Sequence, residues 1–416
     1  MQLLRPLGVT GFRLLFLSTL ASSLGTLLAA VALAVDVKDR TDSGLWVGAL
    51  MVVEFLPTIL IGLLLGPLLD RVSRRGLMVA ADLVRAAVFC ALPFAPGAGA
   101  IVALAAVAGI ASGFFRPAAY AGVPNLVPED ELPEANALLQ GSENASWAVG
   151  PLIGGVLTAA SGPHAAYWVN AGSFLVSAAL VARIPQRLLQ STVALSRGYW
   201  RDLGEGFLVV RRSPPLRTVL VVWTVAMTAL GLVNVAEVFL AKDSFHAGDF
   251  GFGLLYGAIG AGLVLGSLAA GPLVGRFGVR GLYAGAIALM AAAFGGAAAA
   301  PDVWVAAALC VVGGIGNGAA NVSNVVLVQR GAPDRVRGRA LTLVMSVNYV
   351  VLGASMGAAG PLVDGLGARW TWFIAACLLA GTSVLAFALT RRIALPEPAS
   401  VGQPAELELA ARAAAE

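Results

Sequence analysis

Gly66-Pro67-Leu68-Leu69-Asp70-Arg71-Val72-Ser73-Arg74-Arg75-Gly76 and Gly271-Pro272-Leu273-Val274-Gly275-Arg276-Phe277-Gly278-Val279-Arg280-Gly281 share six identities in eleven positions, 205 residues apart. Each follows a long apolar run. At the same interval Gly109-Ile110-x-x-Gly113 matches Gly314-Ile315-x-x-Gly318, and at 210 residues Gly150-Pro151-Leu152 matches Gly360-Pro361-Leu362. One such match means little; three in order at nearly one interval mark an internal repeat. A parallel repeat of apolar segments is the layout of transporters that rock two halves about a central site.

Working outward from the repeat, apolar runs fall at 11–35, 45–69, 77–95, 99–120, 137–160 and 165–183, then at 216–240, 251–274, 282–300, 303–327, 340–362 and 370–390. The expected fold is an all-α polytopic membrane protein of twelve transmembrane helices in two six-helix repeats. The expected divisions are an N-terminal bundle at 1–183, a cytoplasmic linker at 184–215, a C-terminal bundle at 216–392 and a cytoplasmic tail at 393–416. Twelve spans of ~20 residues use about 240 of the chain. Composition agrees: of 416 residues 58% are hydrophobic and only 12% charged, about half the charge of a soluble domain. That excludes a soluble multidomain enzyme and a disordered chain. The first run is too long for the apolar core of a signal peptide.

Charge sets the expected orientation. Twenty-five of the 27 basic residues are arginine. Arg71, Arg74, Arg75, those between Arg183 and Arg217, Arg276, Arg280, those between Arg330 and Arg339, Arg391 and Arg392 all fall on one side. The other side holds Lys38, Arg40, Lys242 and Arg369. The positive-inside rule puts both termini and the 184–215 connection in the cytoplasm, and the expected location is multi-pass in a bacterial inner membrane. The two lysines end no phosphate-binding loop, and the three cysteines and two histidines form no ligand cluster. No cofactor, no metal, no nucleic-acid partner and no enzymatic activity are expected.

These residues resemble the major facilitator superfamily over essentially the whole chain to about Arg392. Gly66-x-x-x-Asp70-Arg71-x-Ser73-Arg74-Arg75 is similar to its loop signature GxxxDRxGRR, with Ser73 in place of the loop glycine. Gly150-Pro151-Leu152-Ile153-Gly154-Gly155 is similar to the GPxxGG signature of drug/proton antiporters. Asp82-x-x-Arg85, Phe115-Arg116-Pro117, Asn136-Ala137-Leu138, Asn170-Ala171-x-Ser173-Phe174 and Gln329-Arg330…Arg337-Gly338-Arg339 resemble the branch of enterobactin and macrolide exporters. The resemblance implies that Gly66, Asp70, Arg71, Arg74, Arg75 and Arg85 form a conformational latch, and that Gly150, Pro151, Gly154 and Gly155 form an antiporter-type helix. Two proton-linked positions of the family are missing: Thr26 follows Gly25 where many members carry Asp, and Ala105 stands where antiporters carry Arg. Proton coupling therefore needs other carriers.

A charge at mid-helix costs roughly 2.5–3.5 kcal/mol on insertion scales, so intramembrane ionisable groups are functional candidates. Glu54 lies about eight residues into the second run, ~12 Å deep at 1.5 Å per residue, where protonation removes most of its burial cost. Glu54, Glu237, Glu143 and Asp82 are the proton-coupling candidates. Asp82 and Arg85 share one helical face and also suit a structural pair. The substrate-binding candidates are Arg116, Asn144, Asn234 and Asn348 with the deeper aromatics Phe55, Trp147, Trp223, Tyr256 and Tyr349. Gly260-Ala261-Gly262-x-x-x-Gly266 is mid-run and reads as helix packing rather than a dinucleotide turn.

The expected function is a secondary active transporter, acting as a monomer. It exports a hydrophobic or amphiphilic small molecule, a drug, antibiotic or secreted metabolite such as a siderophore, by proton antiport with alternating access. A facilitator importing a small metabolite and a transport-inactive receptor are the alternatives. Partners are the small-molecule substrate, protons and the lipid bilayer.

Overall fold

The computed structural model describes residues 2–64, 72–189, 207, 210–211, 213–331 and 334–391. Gly66, Asp70 and Arg71 of the expected latch, most of the 184–215 linker and the 393–416 tail lie outside the described residues. The regular structure among those described is helical throughout: α1 (Thr10–Thr41), α2 (Gly44–Leu64), α3 (Arg74–Ala91), α4 (Ala98–Gly122), α5 (Leu132–Ser161), α6 (Pro163–Ala182), α7 (Pro214–Phe239), α8 (Gly248–Ala298), α9 (Val303–Gly331), α10 (Asp334–Leu366) and α11 (Ala368–Arg391). Nine candidate membrane spans, long and apolar enough to cross a bilayer, occur among the described residues. The chain is a multi-pass membrane protein.

Short connections bound these helices for local reasons. Proline opens α6 and α7, where its missing N–H costs nothing. Gly162 (φ +75°) alone joins α5 to α6, and Gly367 (φ +83°) alone joins α10 to α11. Asp42 ends α1 in a left-handed conformation, and His246, after α7, also has a positive φ of 52°. Gly162 and Gly367 are 205 residues apart and Asp42 and His246 are 204, close to the interval between the matching stretches of sequence.

α8 is 51 residues long, ~76 Å at 1.5 Å per residue and more than twice a ~30 Å hydrocarbon core. It is broken at Gly278 (φ +70°, ψ 153°), between the runs expected at 251–274 and 282–300. A side chain rarely tolerates that φ. Ser73, the equivalent position of the repeat, instead begins α3 as its N-cap, its hydroxyl accepting from the Gly76 N–H at 3.2 Å. α1 also runs further than expected, to Thr41 instead of residue 35, and so carries Asp36, Lys38, Asp39 and Arg40 on helix rather than loop.

Among the first helices α1 packs on α5 and α6, α2 on α4, and α3 on α4 and α6. Among the later ones α7 packs on α10 and α11, and α8 on α9 and α11. The two sets meet along α5–α8 and α2–α10. One large apolar core joins residues of both sets, such as Leu28, Met51, Trp223, Phe252 and Met356. A second core, with Phe12, Met78, Phe115, Leu139 and Ile184, holds no residue beyond Leu189. The large core thus joins both sets, while the second core lies within the first set.

Candidate functional site

The α5–α8 crossing brings backbone against backbone. A Cβ on Gly155 would lie 2.8 Å from the Gly253 Cα, and one on Gly253 would lie 2.5 Å from the Pro151 carbonyl oxygen. The Gly-Pro motif thus has two faces: Gly150 and Gly154 seat α1 at Leu27 and Leu28, while Gly155 seats α8. Close approach here places Trp147 of α5 edge-on to Tyr256 of α8, centroids 5.8 Å apart, with Tyr256 stacked on Phe252 at 5.9 Å. Gly260 lies against the Trp147 backbone, and Gly262 and Gly266 lie against α9. The glycine string of α8 is a packing seam.

Glu237 of α7 is 1% exposed and its Oε1 has no hydrogen-bond partner. Both Glu237 and Glu54 of α2 lie within electrostatic reach of the Tyr256 hydroxyl. Glu54 is half-buried and engaged by a neighbouring group. α4 approaches its backbone closely at Gly109. The structure thereby gathers Trp147 and Tyr256, with Glu54 and Glu237 in reach, from four helices of both sets. Phe55, beside Glu54, packs on the large core. Asn234, one turn before Glu237, is half-buried.

The other candidates form separate groups. Arg116 of α4 donates to Glu143 of α5 at 2.7 Å and lies 5.8 Å from the Tyr120 ring. The Arg116 side chain is 59% exposed, and Tyr349 of α10 is within its electrostatic reach. Asn144 is half-buried beside Glu143. Asn348 is buried, accepting from the Thr224 hydroxyl at 3.2 Å while its Nδ2 lacks a partner. Trp223 is buried against Tyr283 at 6.3 Å and not among the Trp147 group.

Asp82 and Arg85 are bonded to each other. Ser177 donates to Asp82 at 2.7 Å, Arg85 donates to Ser22 at 3.2 Å, and the guanidinium lies over Phe115 (4.8 Å) and Phe174 (4.3 Å). These partners come from α1, α3, α4 and α6. Arg85 is therefore deep in the first helices, whereas Arg74 donates to the Ala121 and Leu189 carbonyls. Arg75 lines a surface groove with Val79, Leu83 and Gln186.

Sequence reading passed over the polar cluster at the far end of α1. Asp36 accepts from Arg40 at 2.7 Å and from Tyr167 at 2.8 Å. Lys38 contacts Asp243 at 2.6 Å, Lys242 contacts Asp39 at 2.6 Å, and Asp364 accepts from the Gly44 N–H at 2.5 Å. A signal was present: the only two lysines are each followed by Asp, 204 residues apart. No group of three or more potential metal ligands occurs among the described residues.

The family model for transmembrane secretion effectors matches residues 2–412. The chain is 27% identical over 377 residues to the multidrug efflux pump Tap of Mycolicibacterium fortuitum, covering 86% of this chain and 90% of that one. It is 27% identical over 242 residues to the MFS-type transporter YfiS of Bacillus subtilis (strain 168), covering 56% and 57%. It is 26% identical over 215 residues to macrolide efflux protein A of Streptococcus pyogenes, covering 50% and 53%. The matched region is thus little more than half the length of the last two. In fold it resembles a bacterial homologue of the iron transporter ferroportin in an inward-facing state, at TM-score 0.73, 16% identity and coverage of 92% and 99%. It also resembles the nucleoside transporter NupG, at TM-score 0.71, 15% identity and coverage of 92% and 98%.

Proposed function

The chain belongs to the transmembrane secretion effector family of the major facilitator superfamily, and we propose that it exports a hydrophobic or amphiphilic small molecule from the bacterial cytoplasm in exchange for protons. On this reading it has twelve spans, α8 supplying two across Gly278, in bundles at 1–183 and 216–392. Both termini and the 184–215 linker are cytoplasmic. The recurrence of Asp42 at His246 and of Gly162 at Gly367 supports the two-bundle layout. The names of the multidrug and macrolide efflux relatives support export.

One observation carries the coupling: a carboxyl, Glu237, buried with an unpartnered oxygen and in electrostatic reach of Tyr256, whose ring packs on Trp147. A buried carboxylate without a partner is costly, and either a proton or a cationic group of the substrate relieves that cost. Competition between the two for one site is the basis of exchange. In the outward state a proton taken by Glu237 or Glu54 displaces substrate. The protonated protein rocks inward, releases the proton to the cytoplasm and reloads. Differential affinity for the two conformations supplies the coupling. Trp147, Tyr256 and Phe55 offer the apolar surface a lipophilic ligand needs. Arg116, Glu143, Asn144 and Tyr349 lie along the path from the cytoplasm. Trp223 and Asn348 brace α7 against its neighbours.

Flux of a panel of fluorescent amphiphiles into inverted vesicles, under an imposed pH gradient, tests this. Glu237→Gln is expected to lower gradient-driven flux at least about tenfold, equivalent to ~1.4 kcal/mol, and Glu54→Gln to lower it less. Unchanged gradient-driven flux in both variants would overturn the assignment of the proton carriers.

A further inference from the structure

Lys38 and Asp39 lie in the last turn of α1, and Lys242 and Asp243 lie in the π-helical turn Leu240–Ser244 that follows α7. Each dipeptide binds the other: Lys38 reaches Asp243 at 2.6 Å, and Lys242 reaches Asp39 at 2.6 and 2.8 Å. Each lysine also has an acid from its own set of helices. Lys38 contacts Asp42 at 3.0 Å, and Lys242 contacts Asp249 at 2.6 Å. The lysine side chains are only 11% and 15% exposed, whereas Asp39 and Asp243 are 49% and 48% exposed. Beside them Asp364 of α10 caps α2, accepting from the N–H groups of Gly44 and Leu45 at 2.5 and 3.2 Å.

We infer that Lys38, Asp39, Lys242 and Asp243 are a reciprocal clamp that holds the non-cytoplasmic end shut and is built to release without stranding a charge. This rests on the transport reading for its purpose, though not for its geometry. Parting the two sets takes Asp39 and Asp243 from their lysines, and both acids are already half in water. Each buried ammonium keeps one acid, Asp42 or Asp249, on its own side. An uncompensated buried cation would make opening expensive. Here the resident acids prevent it, so each lysine has one acid for the closed state and one for both states.

The division of labour gives opposite expectations for two pairs of aspartates on the same lysines. Removing the visiting acids, with Asp39→Asn and Asp243→Asn together, weakens only the closed state. Removing the resident acids, with Asp42→Asn and Asp249→Asn together, takes the sole partner of each lysine in the open state and leaves one in the closed state. Spin labels on Phe94→Cys and Trp304→Cys, both exposed beside this end, would read the distance between the sets in lipid nanodiscs, with Cys90, Cys310 and Cys377 replaced. The visiting-acid variant is expected to raise the ratio of long to short distances about threefold to tenfold, and the resident-acid variant to lower it, as befits contacts each of modest strength. Reversing one dipeptide (Lys38→Asp with Asp39→Lys) should shift the ratio toward long distances. Reversing Lys242→Asp and Asp243→Lys as well, with Asp42→Lys and Asp249→Lys so that each resident pair is kept, should restore it. The same direction of shift in both asparagine variants, or no restoration by the double reversal, overturns the clamp. The measurement uses empty protein without substrate or pH gradient, so it stands whether or not proton-coupled export is found.

Discussion

Asp82 and Glu237 are both acids at the heart of helices, and their surroundings divide them. Asp82 has Arg85, the Ser177 hydroxyl and two aromatic rings around its partner; Glu237 keeps a bare oxygen. A buried ion pair is a structural device, and its energetics are lopsided. Asp82→Asn is expected to cost about 3–5 kcal/mol because Arg85 is left buried and uncompensated. The double change Asp82→Leu with Arg85→Met is expected to cost far less. Thermal unfolding in detergent checks both, and equal losses would show that the ion pair itself supports the fold. The pair was legible in the sequence because its members are three residues apart on one helix. The lysine contacts at the other end were not, since an interval of 204 residues says nothing of contact until the helices are in place. Glu237 was legible as a carboxyl near the outer end of its span, expected to be partly wet; its 1% exposure and its unpartnered Oε1 were not.

Helix ends at the two matching stretches of sequence, 205 residues apart, are formed differently. At the position where Ser73 caps α3 with its hydroxyl, Gly278 breaks α8 by taking a φ of +70°. Ser73→Ala is therefore expected to destabilise by about 1 kcal/mol and Ser73→Gly by only a few tenths. Gly278→Ala is expected to cost about 1 kcal/mol or more, because the added Cβ meets an unfavourable backbone rather than a neighbour. Melting curves of the three variants distinguish a lost cap from a strained turn. At the α5–α8 crossing the limit is space: Gly155→Val is expected to prevent the close approach to Gly253 and to reduce transport, with a smaller fall in thermal stability. Apolar run lengths located most helices, since a span must match the bilayer. They missed the last turn of α1, where Asp36, Lys38, Asp39 and Arg40 read as loop but pair with one another or across helices and so remain helical.

For the whole molecule, the large core joins the two sets and the lysine clamp ties them at one end, while the Phe12–Met78 core lies within the first set. Tyr349, 37% exposed on α10, and the exposed Arg116 side chain lie away from the clamp. With the native cysteines replaced, Tyr349→Cys is expected to react with a membrane-impermeant thiol reagent in inverted vesicles and to be protected in intact cells. Labelling from the outside instead would reverse the proposed orientation. Arginine placement carried that orientation from sequence alone; the contacts between distant helices at the Lys38 end were not readable. The lysine clamp has one more consequence. Lys38-Asp39 meets Lys242-Asp243 as one surface meets its own copy, so the contact is isologous, the kind that joins identical subunits around a two-fold axis. A single half-length chain would already contain everything this contact requires. Two such chains could close on each other through it, as separate subunits do, before any linker joined them.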